Sequence, residues 1–303
     1  MKNQKFRGTG VAMVTPFKNG MVDYDALENV IEFLIAGGTD YIVCLGTTGE
    51  SVTLSEVESR AIFDFTIKIN NNRIPLVAGM FGGNNTAALK KRLSTFDFTG
   101  FDAILSSSPS YNKPSQEGIY QHYMQIGETT PLPIIVYNVP GRTASNISAE
   151  TTIRIANGNE KFIAIKEASG DILQGTKIIR NRPKDFLVLS GDDPTCFALT
   201  AAGGDGVISV IGNAYPKEWS ALTRNILTNH IEVAKKINLK FEHLHKWLYI
   251  EGNPVGIKAA MELKGLCRRD VRLPLVPISD SNMSNLKEAV SFIEELDEEV
   301  GVR

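Results

Sequence analysis

The sequence has few cysteines, and their positions argue against a fold held together by disulfides. Only Cys44, Cys196 and Cys267 occur among its 303 residues. An odd number of widely separated thiols does not form the paired framework that is typical of small secreted proteins. We therefore expect a reducing, cytoplasmic environment for this chain.

The sequence also lacks an excess of charge of one sign. Its 32 basic and 34 acidic residues leave a formal net charge of -2, which provides no basic surface for nucleic acid and no cationic face for lipid. No apolar run approaches the length of a membrane span, and the basic N-terminus is not followed by a signal-peptide core. We expect no nucleic-acid or membrane partner. A small molecule or another protein chain is the expected partner.

Two nucleotide-binding patterns are missing as well. The chain contains neither a Gly-x-Gly-x-x-Gly turn nor a phosphate loop that ends in Lys-Ser/Thr. These patterns usually accompany an open, doubly wound parallel sheet, so their absence argues against that fold. With 43% hydrophobic and 22% charged residues, the chain can build a large core. A closed α/β barrel, which commonly forms a single domain of about 250 residues, is the better candidate.

Short apolar segments alternate with longer amphipathic segments along most of the chain. Strand character occurs at residues 10–14, 41–45, 74–78, 103–105, 134–137, 162–165, 186–189 and 206–210. Helical spacing occurs at residues 25–36, 55–69, 86–98, 116–128, 173–180, 195–202 and 216–227, and residues 55–58 match a capping box. These repeats predict a (β/α)8 TIM barrel, because right-handed βα crossovers curl a parallel sheet into closure.

The pattern changes near residue 229. Helical segments follow at 231–250, 255–263 and 282–298, without strands between them. We therefore interpret residues 1–228 as a barrel-shaped catalytic domain and residues 229–303 as a C-terminal helical region. That region is expected to pack on the barrel or on a neighbouring subunit.

The sixth predicted strand ends in a lysine. Residues 162–165 form a partly β-branched apolar run, as expected of a strand that is buried on both faces, and Lys166 follows. A desolvated ammonium either pairs with a charge or loses its proton, and the free amine can form a Schiff base with a carbonyl substrate. The alternative is that Lys166 merely marks the point where the strand leaves the core and reaches water.

Other reactive side chains lie at the predicted strand ends, where barrels carry their chemistry. The residues collected there are Thr47, Thr48, Tyr111, Tyr137, Arg142, Lys166, Gly191 and Ile208. An amine with two phenols suits Schiff-base aldol chemistry, in which a tyrosine shuttles protons. The turn at 46–49 offers backbone N–H groups for a carboxylate. Each residue alone also has an ordinary structural interpretation, and the spacing leaves both open.

The sequence offers no convincing metal site, and we predict none. His243 and His245 are two residues apart on a predicted helix, so they point to different faces. Asp192 and Asp193 could bind a cation, but adjacent acids in a loop are more often a helix cap.

Three longer motifs resemble a known family. Residues 46–50 (GTTGE), 137–143 (YNVPGRT) and 165–170 (IKEASG), with lesser motifs at 190–193, 206–209 and 253–255, are similar to those of the dihydrodipicolinate synthase / N-acetylneuraminate lyase family. The similarity runs in order from about residue 10 to residue 281. It implies Schiff-base condensation of pyruvate with L-aspartate 4-semialdehyde to 4-hydroxy-tetrahydrodipicolinate, in lysine and diaminopimelate biosynthesis.

The resemblance implies a role for each catalytic residue. Lys166 would form the imine with pyruvate, and no further cofactor or metal would be needed. Tyr137 would relay protons through Thr47 to Tyr111, which this family donates into the neighbouring subunit's site. The family is typically a homotetramer of paired dimers.

The resemblance also implies the substrate contacts. Thr48 would hold the pyruvate carboxylate, and Arg142 would pair with the carboxylate of the semialdehyde. Gly191 and the carbonyl of Ile208 would line the pocket. Arg142 and residues 114–118 favour the semialdehyde over sugar acids. The alternatives are a sialate or keto-deoxy-sugar-acid lyase, a metal-dependent aldolase, or a catalytically idle barrel that serves as a scaffold.

The chain departs from the family pattern where lysine inhibits related enzymes. The inhibitor of those relatives lies near the positions of Ser51 and Asn84. Here Ser110 stands where an aromatic residue is usual, Ala88 where a glutamate would bind the inhibitor's amino group, and Glu56 where a histidine is common. We therefore expect lysine to inhibit weakly or not at all.

Overall fold

A computed structural model describes residues 3–300 of the chain, with side chains through residue 294. Its strands are β1 (Gly8–Ala12), β2 (Phe17–Lys18), β3 (Met21–Val22), β4 (Tyr41–Cys44), β5 (Leu76–Ala78), β6 (Ala103–Ser107), β7 (Ile134–Asn138), β8 (Phe162–Glu167), β9 (Leu187–Ser190) and β10 (Gly206–Ser209). β1 and β4 to β10 form a closed parallel barrel in which neighbouring strands follow the chain order and β10 pairs with β1. The predicted (β/α)8 barrel is therefore confirmed.

Helices surround the barrel. They are α1 (Tyr24–Ala36), α2 (Glu56–Asn70), α3 (Thr86–Thr95), α4 (Gln116–Gly127), α5 (Pro140–Thr143), α6 (Ala149–Gly158), α7 (Ile172–Asn181), α8 (Asp193–Ala201), α9 (Pro216–Leu227), α10 (Ile231–Lys240), α11 (Glu242–Tyr249), α12 (Val255–Leu263) and α13 (Asp280–Val300). No helix among the described residues is long and apolar enough to span a membrane.

Successive residues along each strand point alternately into two different apolar layers. In β7, Ile135 and Tyr137 belong to the cluster inside the barrel, whereas Ile134 and Val136 belong to the layer between strands and helices. This period of two is what a pleated strand imposes on its side chains. It turns Tyr137 inward at the carboxyl end of its strand.

Several predicted boundaries were shifted or incomplete. The first strand was predicted at 10–14, but hydrogen bonding to β4 and β10 defines it as Gly8–Ala12. The predicted helix 231–250 is two helices, separated at Phe241, whose ring is buried edge-on against Trp219. The helix Ala149–Gly158 was missed, although Ser148 accepts a hydrogen bond from the N–H group of Thr151 as its N-cap.

The capping box predicted for the second helix is confirmed. The Ser55 side chain accepts a hydrogen bond from the N–H group of Glu58, and the Glu58 carboxylate accepts one from the N–H group of Ser55 at 2.9 Å. Such reciprocal bonds satisfy backbone donors that the first helical turn leaves unpaired.

The C-terminal helices reach the carboxyl end of the barrel. The Tyr249 hydroxyl donates a hydrogen bond to Asp193 at 2.8 Å, and the Asn253 side chain donates to Thr48 at 2.9 Å. These contacts agree with the expectation that this region packs on the barrel. The division into a domain of 1–228 and a region of 229–303 stays a prediction.

Candidate active site

Lys166 is buried inside the barrel. Its side chain is 4% exposed, and its Nζ lies 4.6 Å from the centroid of the Tyr137 ring. The two residues are paired in register across β7 and β8, so both face inward from the same level. The alternative in which this lysine reaches water at the strand end is therefore wrong.

Lys166 is also free of a carboxylate partner among the side chains that the structure describes. Glu167, the next residue, points to the opposite face of the strand, where it accepts hydrogen bonds from the side chains of Asn138 and Gln174 and from the N–H group of Ser169, at 2.8–3.0 Å. These bonds fix the strand end and the turn that follows. The amine is thereby left available to a carbonyl carbon.

Gly191 leaves the space that Lys166 occupies. A Cβ atom at this position would lie 2.8 Å from Cγ of Lys166 and 2.6 Å from Cβ of Ala168. Such distances are below normal van der Waals contact, so a side chain here would displace the lysine. Ile208 is 1% exposed and belongs to the apolar cluster inside the barrel. Both residues thus border the interior that contains Lys166.

The loop after β4, residues 45–50, carries Thr47 and Thr48. Its two ends, Leu45 and Glu50, have positive φ angles of 56° and 52°. Non-glycine residues adopt this conformation at an energetic cost, and such strain is concentrated at functional sites. Thr48 is 2% exposed, and its hydroxyl accepts the hydrogen bond from Asn253. The strained loop thus presents a fixed, buried hydroxyl.

A cleft of about 540 Å³ opens at this end of the barrel. Its lining includes Thr47, Tyr137 and Arg142. The guanidinium group of Arg142 is exposed and donates a hydrogen bond to the carbonyl of Asn253 at 3.3 Å. The structure therefore brings a phenol, a hydroxyl and a cation into one cleft, with Lys166 buried beside the phenol.

Tyr111 lies outside this cleft in the single chain. Its side chain is 91% exposed, its φ angle is 66°, and its N–H group donates a hydrogen bond to the carbonyl of Thr143. The backbone is thus held in a strained conformation that points a large apolar ring into solvent. The expected role of Tyr111 in a neighbouring subunit's site stays a prediction.

Asp192 and Asp193 are neighbours in the chain but accept hydrogen bonds from different parts of the structure. Asp192 is the N-cap of α8 and accepts a hydrogen bond from the N–H group of Thr195, so the interpretation as a cap is confirmed. Asp193 is 2% exposed and accepts hydrogen bonds from the N–H groups of Val210 and Ile211, both at 2.9 Å, and from Tyr249. Asp193 thus fixes the turn that follows β10.

Burial and a neighbouring charge change the acidity of Tyr249. Burial, and then the charge of Asp193, raise the pKa of Tyr249 well above its ordinary value, so the phenol remains a hydrogen-bond donor.

His245 is partly buried and His243 is exposed, consistent with two faces of the helix. Among the described residues, no group of three or more His, Cys, Asp or Glu side chains is arranged to hold a metal ion.

Asn253 was not predicted as a site residue, although it belongs to the motif at 253–255. Asn253 contacts both predicted substrate-binding side chains, Thr48 through its amide and Arg142 through its carbonyl. The available signal was the motif itself. No local pattern reveals a contact between residues that are 205 positions apart.

Comparison with known proteins gives a consistent result. The model of the dihydrodipicolinate synthetase family matches residues 5–293. The chain is 48% identical over 283 residues to the 4-hydroxy-tetrahydrodipicolinate synthase of Flavobacterium psychrophilum, which covers 93% of this chain and 96% of that protein.

Solved structures agree with the sequence comparison. A dihydrodipicolinate synthase from Thermotoga maritima matches with a TM-score of 0.93 and 40% identity, over 96% of this chain and 99% of that one. A chloride-inhibited dihydrodipicolinate synthase from Acinetobacter baumannii, complexed with pyruvate, matches with a TM-score of 0.91 and 39% identity, over 95% and 99% of the two chains. This chain therefore belongs to the dihydrodipicolinate synthetase family.

Proposed function

We propose that this chain is a Schiff-base-forming lyase that condenses pyruvate with L-aspartate 4-semialdehyde to 4-hydroxy-tetrahydrodipicolinate, for lysine and diaminopimelate biosynthesis. The relatives that carry this activity in their names match nearly the whole chain. The observation that supports it most is the buried Lys166 amine, 4.6 Å from the Tyr137 ring inside the barrel.

The reaction begins at Lys166. The nitrogen lone pair of its amine attacks the ketone carbon of pyruvate, and the tetrahedral adduct loses water to form a protonated imine. The imine withdraws electrons, so the neighbouring methyl group releases a proton and becomes an enamine. The enamine carbon then attacks the aldehyde of the second substrate, forming a carbon–carbon bond while the aldehyde oxygen takes up a proton. The amino group of that substrate next attacks the imine carbon and displaces the Lys166 amine, which closes the ring of the product and frees the lysine. The imine itself supplies the electron sink, so the proposed reaction uses no metal and no further cofactor.

Proton transfer is assigned to Tyr137. Each step above moves a proton, and a phenol next to the imine is within reach to donate and accept it. Thr47 lines the same cleft and continues the relay. Tyr111, exposed in the single chain, completes the relay in a neighbouring subunit's site within a homotetramer of paired dimers. The cytoplasmic location belongs to the same proposal.

Substrate carboxylates require their own contacts. Thr48 is buried in the turn after β4, where its hydroxyl and the backbone N–H groups of the turn suit the carboxylate of pyruvate. Arg142 lines the cleft with an exposed guanidinium, whose planar fork matches the carboxylate of the semialdehyde. Gly191 and Ile208 border the interior beside these groups. Pyruvate can thus bind first, at the buried Thr48, and the semialdehyde second, at the exposed Arg142.

A comparison of substrates tests this function. We expect the purified chain to consume aspartate semialdehyde with pyruvate far faster than it cleaves sialate or a keto-deoxy-sugar acid, with full activity in a chelator. Arg142→Ala should impair use of the semialdehyde far more than formation of the pyruvate imine, because the guanidinium contacts only the second substrate. Faster cleavage of a sugar acid would overturn the proposal.

A further inference from the structure

A fully buried ion pair joins the loop after β4 to the C-terminal helices. Lys258 of α12 is 0% exposed and Glu50 is 2% exposed, and the Lys258 ammonium contacts the Glu50 carboxylate directly. The same ammonium donates a hydrogen bond to the carbonyl of Asp270 at 2.9 Å and lies 4.2 Å from the centroid of the Phe17 ring. The N–H group of Arg272 donates to the other oxygen of Glu50 at 3.1 Å.

Glu50 occupies a conformation that glutamate seldom adopts. Its φ angle is 52°, in the left-handed region, and it is the last residue of the loop that begins at Leu45. Such a backbone persists only where surrounding contacts hold it. The Glu50 backbone is hydrogen-bonded to Thr47 and Thr53 within the same region of the chain. Its carboxylate is held by the Lys258 ammonium and the N–H group of Arg272, both from the C-terminal part of the chain.

The same C-terminal segment also contacts the middle of the loop. Asn253 lies five residues before Lys258 and donates its amide hydrogen bond to the Thr48 hydroxyl. Its carbonyl accepts the hydrogen bond from Arg142. One short segment therefore contacts both residues that we assign to substrate carboxylates, and the ion pair fixes that segment to the end of the loop.

Stability alone does not account for a buried ion pair here. Taking two charges out of water carries a penalty that their attraction repays only with good geometry, and apolar residues of similar volume are often as stabilising. Burial lowers the pKa of Lys258, and Glu50 opposes that effect. What a directional pair adds over apolar packing is a defined position for the two elements that it joins.

We propose that Glu50 and Lys258 are positioning residues that set the loop 45–50 so that Thr48 is held where the pyruvate carboxylate binds. The C-terminal helices thereby form part of the active site, although they carry none of its reacting groups. The inference rests on the proposed function and names how the pyruvate subsite of that function is built.

Steady-state kinetics with the full-length chain test the proposal. In Lys258→Met the ammonium is lost, and in Glu50→Asp the charge remains but the carboxylate is one methylene shorter. We expect each to raise KM for pyruvate by about tenfold or more. KM for the semialdehyde should rise by a smaller factor, because the same segment contacts the exposed Arg142 through only one backbone carbonyl. The pyruvate concentration for half-maximal borohydride trapping at Lys166 should rise by the same factor as KM. Lys246→Met, an exposed lysine in the same helical region, is the matched control and should change neither constant.

The outcomes separate the two proposals. A residue that only stabilises the fold would lower the melting temperature and the active fraction, without changing KM for pyruvate. If Lys258→Met does not fold, Glu50→Asp and the double variant Glu50→Gln/Lys258→Met, which leaves no unpaired charge, carry the test. A folded variant of the pair with an unchanged KM for pyruvate overturns this inference. Failure of the unaltered chain to trap pyruvate overturns the proposed function instead.

Discussion

At the scale of single residues, the proposed chemistry depends on the contact between Lys166 and Tyr137. Both side chains are less than one-tenth exposed, so the amine and the phenol meet away from bulk water. Such an environment strengthens the interaction of each group with a bound substrate and excludes competing proton donors. The hydroxyl of Tyr137 is proposed to transfer protons, whereas its aromatic ring packs beside the amine. A substitution that removes only the hydroxyl distinguishes the two.

Tyr137→Phe keeps the ring beside Lys166 and removes only the hydroxyl. We expect kcat to fall about 100-fold or more, because a positioned proton-transfer group contributes at least that factor. Borohydride should still trap pyruvate on Lys166, since the amine is intact. Measurement of kcat together with the mass of the trapped protein checks both expectations. A kcat within about twofold of the unaltered chain would remove Tyr137 from the relay.

At the scale of secondary structure elements, Arg272 ties the start of α2 to the segment after α12. Its guanidinium contacts the Glu58 carboxylate at 2.5 Å, in addition to the capping box that Glu58 forms with Ser55. The hydrogen bond from Arg272, followed by those from Ser55, lowers the pKa of Glu58 to about 2. A carboxyl group with a lowered pKa stabilises the folded state only while it is ionised there.

This arrangement predicts a pH-dependent contribution. The stabilisation from Glu58 is fully present above its unfolded pKa of about 4.3 and is lost as the pH falls toward about 2. We expect Glu58→Gln to lower the free energy of unfolding by about 1–2 kcal/mol at pH 7, a value reduced for partial exposure. The difference should shrink by about pH 2.5. Denaturant unfolding at both pH values measures it, and Glu288→Gln, on an exposed helix face, is the control. A difference independent of pH would contradict the account.

Local sequence patterns predicted most of the strands and helices, but they could not predict contacts between residues that are far apart in the chain. The alternation of strands and helices and the Ser55 capping box depend on residues a few positions apart, which the sequence displays directly. The helix Ala149–Gly158 had a visible cap and was still missed, because little of it is apolar. The ion pair between Glu50 and Lys258 joins residues 208 positions apart, so it required the fold.

The candidate site divides in the same way. Lys166, Tyr137 and Thr48 were predicted because barrel strands deliver the residues at their carboxyl ends to one end of the barrel. The structure places the Lys166 amine 4.6 Å from the Tyr137 ring, and Thr48 lies in the loop that follows β4. Asn253 was not assigned a role, because it follows the last strand by more than forty residues and belongs to no strand end. Tyr111 was predicted from the family motif, and its exposure in the single chain leaves its role in a neighbouring subunit's site a prediction.

At the scale of the whole molecule, that exposed tyrosine predicts shared active sites. Tyr111→Phe and Lys166→Ala should each reduce activity strongly when alone. If Tyr111 serves a neighbouring subunit, mixed oligomers contain sites with an intact Tyr111 from one chain and an intact Lys166 from the other. We expect partial recovery of activity after the two variants are dissociated together and reassembled. Mixtures that remain as inactive as their components would contradict the sharing of Tyr111.

Inhibition by lysine is a second property that belongs to the whole molecule. The Asn84 side chain already contacts the backbone of Ser110 through both its amide and its carbonyl, at 2.5 and 2.7 Å. Ala88 is exposed and offers only a methyl group, which cannot pair with an inhibitor's amino group. We expect lysine to inhibit weakly or not at all. An activity titration that gave strong inhibition at sub-millimolar lysine would refute this expectation.

The most direct test of the account is to reduce the chain with borohydride in the presence of pyruvate and to map the added mass by peptide analysis. The account predicts one pyruvate-derived adduct, on Lys166, with no adduct on the folded Lys166→Ala variant. An enzyme that turns over its substrates while Lys166 stays unmodified, or an adduct on a different lysine, would contradict it.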